Sequence, residues 1–116
     1  MRIEIRGRNV EMTDDLRELV RKRFGGVGRQ LSGLSSLEVV LHEERNPSIS
    51  DCQVAEATVR LKGATLHARE ASPEMSQSIH KLSEDVRRQV KKHRELTRKR
   101  KVTRRVMGQM RDRPAM

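Results

Sequence analysis

The sequence predicts an α+β fold: a single β-α-β-β-β-α domain in which two helices pack on one face of a four-stranded sheet. Three observations carry this. Four segments alternate apolar and polar residues with a period of two, the pattern of half-buried strands. Two longer segments repeat apolar residues at steps of three and four, which suits helices that bury one stripe. Finally, 116 residues, 34% of them hydrophobic, support one modest core rather than two independent domains.

The first strand spans residues 2–6, with Ile3 and Ile5 on one face and Arg2, Glu4 and Arg6 on the other. Gly7-Arg8-Asn9 breaks it. Thr13 is placed to cap the first helix, because its hydroxyl can accept an orphan backbone N–H. Asp14 and Asp15 follow in the first turn, where acids suit the helix dipole. Leu16, Leu19, Val20, Phe24, Val27 and Leu31 form the buried stripe. Gly25, Gly26 and Gly28 weaken the second half of this helix, each by roughly 1 kcal/mol relative to alanine.

Leu37, Val39 and Leu41 mark the second strand, and Asn46-Pro47-Ser48 supplies turn chemistry after it. In the third strand Ala57, Val59 and Leu61 point inward, with Glu56, Thr58, Arg60 and Lys62 outward. Lys62-Gly63-Ala64 makes a tight connection to a short fourth strand around Leu66 and Ala68. Ser72 is expected to cap the last helix, with Pro73 at its first position, where no N–H is needed. Met75, Ile79, Leu82, Val86 and Val90 are its apolar stripe, which fades after His93. No helix-stopping residue appears before Gly108, so the helix is expected to outrun the core. The domain is expected to occupy residues 1–101, with the last helix at about 73–101 or longer, and a basic C-terminal tail at residues 102–116.

Charge is distributed unevenly. Of the net +10, residues 1–86 contribute 13 basic and 14 acidic groups, and residues 87–105 contribute 11 basic groups against one acid, Glu95. Arg87, Lys91, Arg94, Arg98, Lys101 and Arg105 recur at steps of four and three, one continuous stripe on a helix. Arg88, Lys92, Lys99, Arg100 and Arg104 widen it. Such a stripe repels itself in isolation, and a polyanion relieves the repulsion with counterion release. The competing readings are a solvated basic tail and an acidic membrane surface. The latter lacks an accompanying apolar face across residues 91–101.

The chain has one Phe and no Tyr or Trp. That excludes an RNA-recognition sheet that stacks bases on aromatics, an aromatic cage, and an interfacial aromatic belt. Recognition of nucleic acid must therefore use phosphates, sugar hydroxyls and shape, which favours a folded RNA over sequence-specific DNA. No apolar run approaches the ~20 residues of a membrane span, and the N-terminus has no apolar signal core. His42, His67, His80 and His93 show no metal-ligand spacing, and the single Cys52 has no partner cysteine, which fits a reducing cytosol. No metal, cofactor or small-molecule substrate is expected, and no enzyme. The one enzymatic hook is Gly108-Gln109, a fragment of the Gly-Gly-Gln motif of peptidyl-tRNA hydrolases, here preceded by Met107.

Three stretches resemble a known family: Ile3-Glu4-Ile5-Arg6-Gly7-Arg8-Asn9-Val10-Glu11-Met12-Thr13, Leu16-Arg17-Glu18-Leu19-Val20 through Arg23-Phe24, and Arg88-Gln89-Val90-Lys91-Lys92-His93. With Leu66-His67-Ala68 and Glu74-Met75, they resemble the ribosome hibernation-promoting factors, also called ribosome-associated inhibitors or sigma-54 modulation proteins, over about residues 1–101. The resemblance implies a β-α-β-β-β-α domain that binds the 30S subunit near the decoding centre, in the 30S particle and the 70S ribosome. There it would occlude the path of mRNA and of A- and P-site tRNAs through contacts to 16S rRNA, silencing idle ribosomes under stress and in stationary phase.

Carried over by position, the resemblance implies rRNA contacts from Arg23, Arg29, Arg88, Lys92 and Arg94. The charged stripe adds Arg87, Lys91, Arg98, Lys99 and Lys101. Gly26 and Asp85 depart from lysines common in the family, and Ser76 and His80 from its tyrosine and aspartate. Long members carry a second, ribosome-pairing domain, so this chain is expected to be a short form, cytoplasmic and monomeric off the ribosome. A general nucleic-acid-binding protein is the alternative function.

Overall fold

The computed structural model describes residues 2–28, 35–44, 50–61 and 63–111, with side chains through Val27 in the first helix and Thr97 in the second. The elements run β1 (Arg2–Arg8), α1 (Asp14–Gly28), β2 (Ser36–Glu43), β3 (Gln53–Leu61), β4 (Ala64–Ser72) and α2 (Met75–Arg111). This is the expected order. The sheet is mixed, with spatial order β1-β2-β3-β4. β1 pairs parallel to β2, and the other two pairings are antiparallel. A parallel neighbour needs a crossover, which α1 supplies, whereas the antiparallel neighbours are reached by direct connections.

The register stacks the alternating apolar residues into rows. Ile3 faces Leu37, which faces Val59, which faces Leu66; Ile5, Val39, Ala57 and Ala68 form the next row. α1 contributes Val20, Phe24 and Val27 to the same core, and α2 contributes Ile79, Leu82, Val86 and Val90. Both helices therefore cover one sheet face. Leu31 of the expected stripe lies outside the described residues.

Local chemistry sets the element ends. Leu16 N donates to Thr13 Oγ1 at 3.2 Å, so Thr13 caps α1 as expected. Gly63 adopts φ of +80° between the paired Leu61 and Ala64, a left-handed conformation that glycine enters without steric cost. The start of α2 differs from expectation. Ser72 is the last residue of β4, paired with Gln53, and the first helical hydrogen bond runs from Ser78 N to Glu74 O. Ser72 Oγ bonds Glu74 O at 2.5 Å and Ser78 Oγ at 2.7 Å, and Ser78 Oγ also donates to Gln53 O at 2.6 Å. These hydroxyls tie the strand end to the helix start, so the cap moves two residues along the chain. β4 is also longer than its sequence suggests, at nine residues.

Candidate nucleic-acid interface

Val86 and Val90, both essentially fully buried, fix one side of α2 against the sheet. On a 3.6-residue period, their intervening and following neighbours must face away from that core. Arg87, Arg88, Lys91, Lys92 and Arg94 are accordingly all exposed. Val90 is the last fully buried side chain described on α2, and the helical backbone continues to Arg111. That is about 30 Å of further helix at 1.5 Å per residue, in a molecule 71 Å long.

Arg87, Lys91 and Arg94 form one row by spacing, and Arg88 and Lys92 a second. Arg98, Lys99 and Lys101 lie on the helical backbone of α2, with side chains beyond those described. Arg29 lies outside the described residues. Arg23 is exposed on α1, and the structure brings it to α2: Arg87 Nη2 donates to Arg23 O at 3.0 Å.

Among the described residues, Arg88, Lys91, Lys92 and Arg94 form neither a salt bridge nor a hydrogen bond through their side chains. Among the described residues, Lys81 also forms no salt bridge. It stands seven residues before Arg88 and eleven before Lys92, hence on their side of the helix, a spacing legible in the sequence. Lys81 lines a shallow depression of about 330 Å³ with Arg23, Ser76, Gln77 and His80. No carboxylate is among these lining residues, and Glu84 Oε1 sits 3.0 Å from His80 Nε2. Lys22 is exposed on α1 beside Arg23 and adds a further cation that the spacing along α2 does not announce.

The family departures have defined places. An added Cβ at Gly26 would sit 3.6 Å from Arg87 Nη2. Asp85 is half-buried and accepts from Gln89 Nε2 at 3.4 Å, while the same amide donates to His67 O in β4 at 2.9 Å. Among the described residues, no three His, Cys, Asp or Glu side chains are grouped to hold a metal ion, and no helix is long and apolar enough to cross a membrane. The arrangement is a rigid, anchored helix presenting uncompensated cations, which suits phosphate binding.

Comparison with known proteins gives a consistent result. The model of the family described as sigma 54 modulation protein / S30EA ribosomal protein matches residues 3–98. A ribosome hibernation promoting factor of Acinetobacter guillouiae is 33% identical over 101 residues, covering 83% of this chain and 89% of that protein. The Escherichia coli K12 factor of the same name is 32% identical over 95 residues, covering 82% and 95%. Among solved structures, the N-terminal domain of Thermus thermophilus Protein Y superposes with a TM-score of 0.68 at 28% identity, covering 80% of this chain and 99% of that one. A ribosomal subunit interface protein from Coxiella burnetii, at 22% identity and a TM-score of 0.67, shares the fold.

Proposed function

The chain belongs to the sigma 54 modulation protein / S30EA ribosomal protein family, a non-enzymatic ribosome-binding family, and on that premise we propose that it is a cytoplasmic hibernation factor acting on the 30S subunit. It binds near the decoding centre, in 30S particles and 70S ribosomes, and occupies the path of mRNA and of A- and P-site tRNAs. Initiation is blocked because the site is filled, with no bond made or broken.

One observation carries this reading beyond family membership: Arg88, Lys91, Lys92 and Arg94 are exposed and unpartnered on a helix clamped by Val86 and Val90. Folded rRNA presents closely spaced phosphates from several strands, and each cation that meets one releases condensed counterions. With no Phe, Tyr or Trp on this surface, the flat side chains able to stack on bases are arginine guanidinium planes and the imidazoles of His80 and His93. Arg98, Lys99 and Lys101 would extend the same interface along α2, and Arg29, outside the described residues, would join it by its correspondence with the family.

The test is sucrose-gradient sedimentation of ribosomes with the purified protein at moderate salt. The protein is expected in the 30S and 70S fractions and to reduce mRNA and tRNA binding there. Its absence from both fractions overturns the proposal. Equal affinity for random duplex DNA and for 30S subunits would instead identify a general nucleic-acid-binding protein.

A further inference from the structure

We infer that Arg87 is a positioning residue: it braces the C-terminal half of α1 against α2 and so sets where Arg23 stands, rather than contacting RNA itself. Of the lysine and arginine side chains described on α2, Arg87 alone donates a hydrogen bond, to Arg23 O at 3.0 Å across 64 residues of sequence. Its neighbours Arg88, Lys91, Lys92 and Arg94 are free to meet phosphates; Arg87 already has a partner.

The partner has a reason to need it. α1 carries no basic residue in its last turn, and the guanidinium, seated on a carbonyl about one turn before that end, brings a positive charge toward the negative end of the dipole. Gly25, Gly26 and Gly28 make that half intrinsically weak. Val86 and Val90 hold the Arg87 backbone in place, and Gly26 places no side chain over the guanidinium, whose Nη2 lies 3.6 Å from where a Cβ would be. A guanidinium with several donors in a fixed plane is suited to such a span. The brace thereby delivers Arg23 to the rim of the depression it shares with Ser76, Gln77, His80 and Lys81.

Hydrogen exchange in the free protein tests the brace without a ribosome. In Arg87→Gln, and in Arg87→Met, which keeps the apolar stem, amides of residues 24–28 are expected to exchange about two- to fivefold faster. Arg88→Gln is expected to leave them unchanged. Unaltered exchange in both Arg87 variants overturns the brace. The consequence for RNA rests on the proposed ribosome binding and is read from a cycle of Arg23→Gln, Arg87→Gln and the double variant on 30S subunits. Arg87→Gln should weaken binding no more than Arg23→Gln, and the double variant should match Arg23→Gln. Losses that multiply, with the salt slope falling by roughly 0.7–0.9 for each change, would make Arg87 a direct contact. Failure of the unmodified protein to bind 30S would remove the ribosome reading, and the exchange data alone would then judge the brace.

Discussion

The outer face of the sheet and the outer face of α2 are both rich in arginine, yet their electrostatics are opposite. On the sheet, Arg2 and Arg6 flank Glu4 at 3.2 and 3.7 Å, Arg60 meets Glu38 at 3.7 Å, and Arg69 lies 3.5 Å from both Glu44 and Glu56. His42 adds a second contact to Glu56 at 3.5 Å. On α2, Arg88, Lys91, Lys92 and Arg94 have no acidic partner among the described residues, although Glu95 and Asp85 are close in sequence. The number of cations per unit area therefore does not mark a polyanion-binding surface. What marks it is whether carboxylates have already taken the place that phosphates would fill.

The largest expected effect comes from inverting the unpaired surface. Arg88→Glu, Lys92→Glu and Arg94→Glu together should abolish co-sedimentation with 30S subunits, a loss of more than about 1000-fold, since each charged contact is worth roughly 1.5–3 kcal/mol. All three residues are exposed, so circular dichroism and thermal unfolding should stay near those of the unmodified protein. Retained binding would break the contrast by showing that α2 is not the interface.

Single neutralisations sharpen it. Arg88→Gln should weaken 30S binding about tenfold. It should also lower the slope of log affinity against log salt by roughly 0.7–0.9, one phosphate contact. Binding isotherms between low and moderate salt measure both, and an unchanged slope would remove Arg88 from the interface.

The two faces also differ in how far the sequence alone reveals them. Ile3/Ile5, Leu37/Val39/Leu41 and Ala57/Val59/Leu61 alternate cleanly, and the stripe from Met75 to Val90 is regular, so element order and the buried face followed from periodicity. The basic row of α2 is equally visible, because neighbours on a helix are neighbours in sequence. The sheet's ion pairs are not. Arg69 and Glu56 become opposite only through the register of β3 and β4, and Arg60 reaches Glu38 diagonally from the Ser36 position. The Arg87–Arg23 hydrogen bond is hidden for the same reason. The start of α2 differs from the sequence pattern although Ser72-Pro73 carries a strong local capping signal. That signal yields to tertiary bonds from Ser72 and Ser78 hydroxyls that no local pattern announces. β4 is longer than its sequence pattern suggests because Ala64, Ala68, Glu70 and Ala71 have little strand propensity of their own and are carried by pairing with β3.

If pairing is what keeps the sheet from binding nucleic acid, unpairing it should create a second basic surface. Glu4→Gln, Glu38→Gln and Glu56→Gln together would raise the net charge from +10 to +13 and free Arg2, Arg6 and Arg60 of their carboxylates, leaving Arg69 with Glu44 alone. Affinity for random duplex RNA at low salt should rise about fivefold, with a steeper salt dependence. Unchanged affinity would mean that the flat shape of the sheet, rather than its neutrality, excludes RNA.

The smallest effect is the most informative about the paired face. Arg69 has two carboxylates within 3.5 Å, but its side chain is 59% exposed. Water screens both attractions, and removing the guanidinium leaves Glu44 and Glu56 solvated rather than stranded. Exposed pairs of this kind contribute about 0.2–1 kcal/mol, so Arg69→Gln should lower the thermal midpoint by only a few degrees. Binding to 30S should be unchanged, because the guanidinium's charge is already compensated and no counterion release depends on it. A calorimetric scan and a gradient on the same sample check both outcomes. A tenfold loss of 30S affinity would place the sheet at the ribosome too, and the distinction between a neutralised face and a binding face would fail at the residue where it is drawn most sharply.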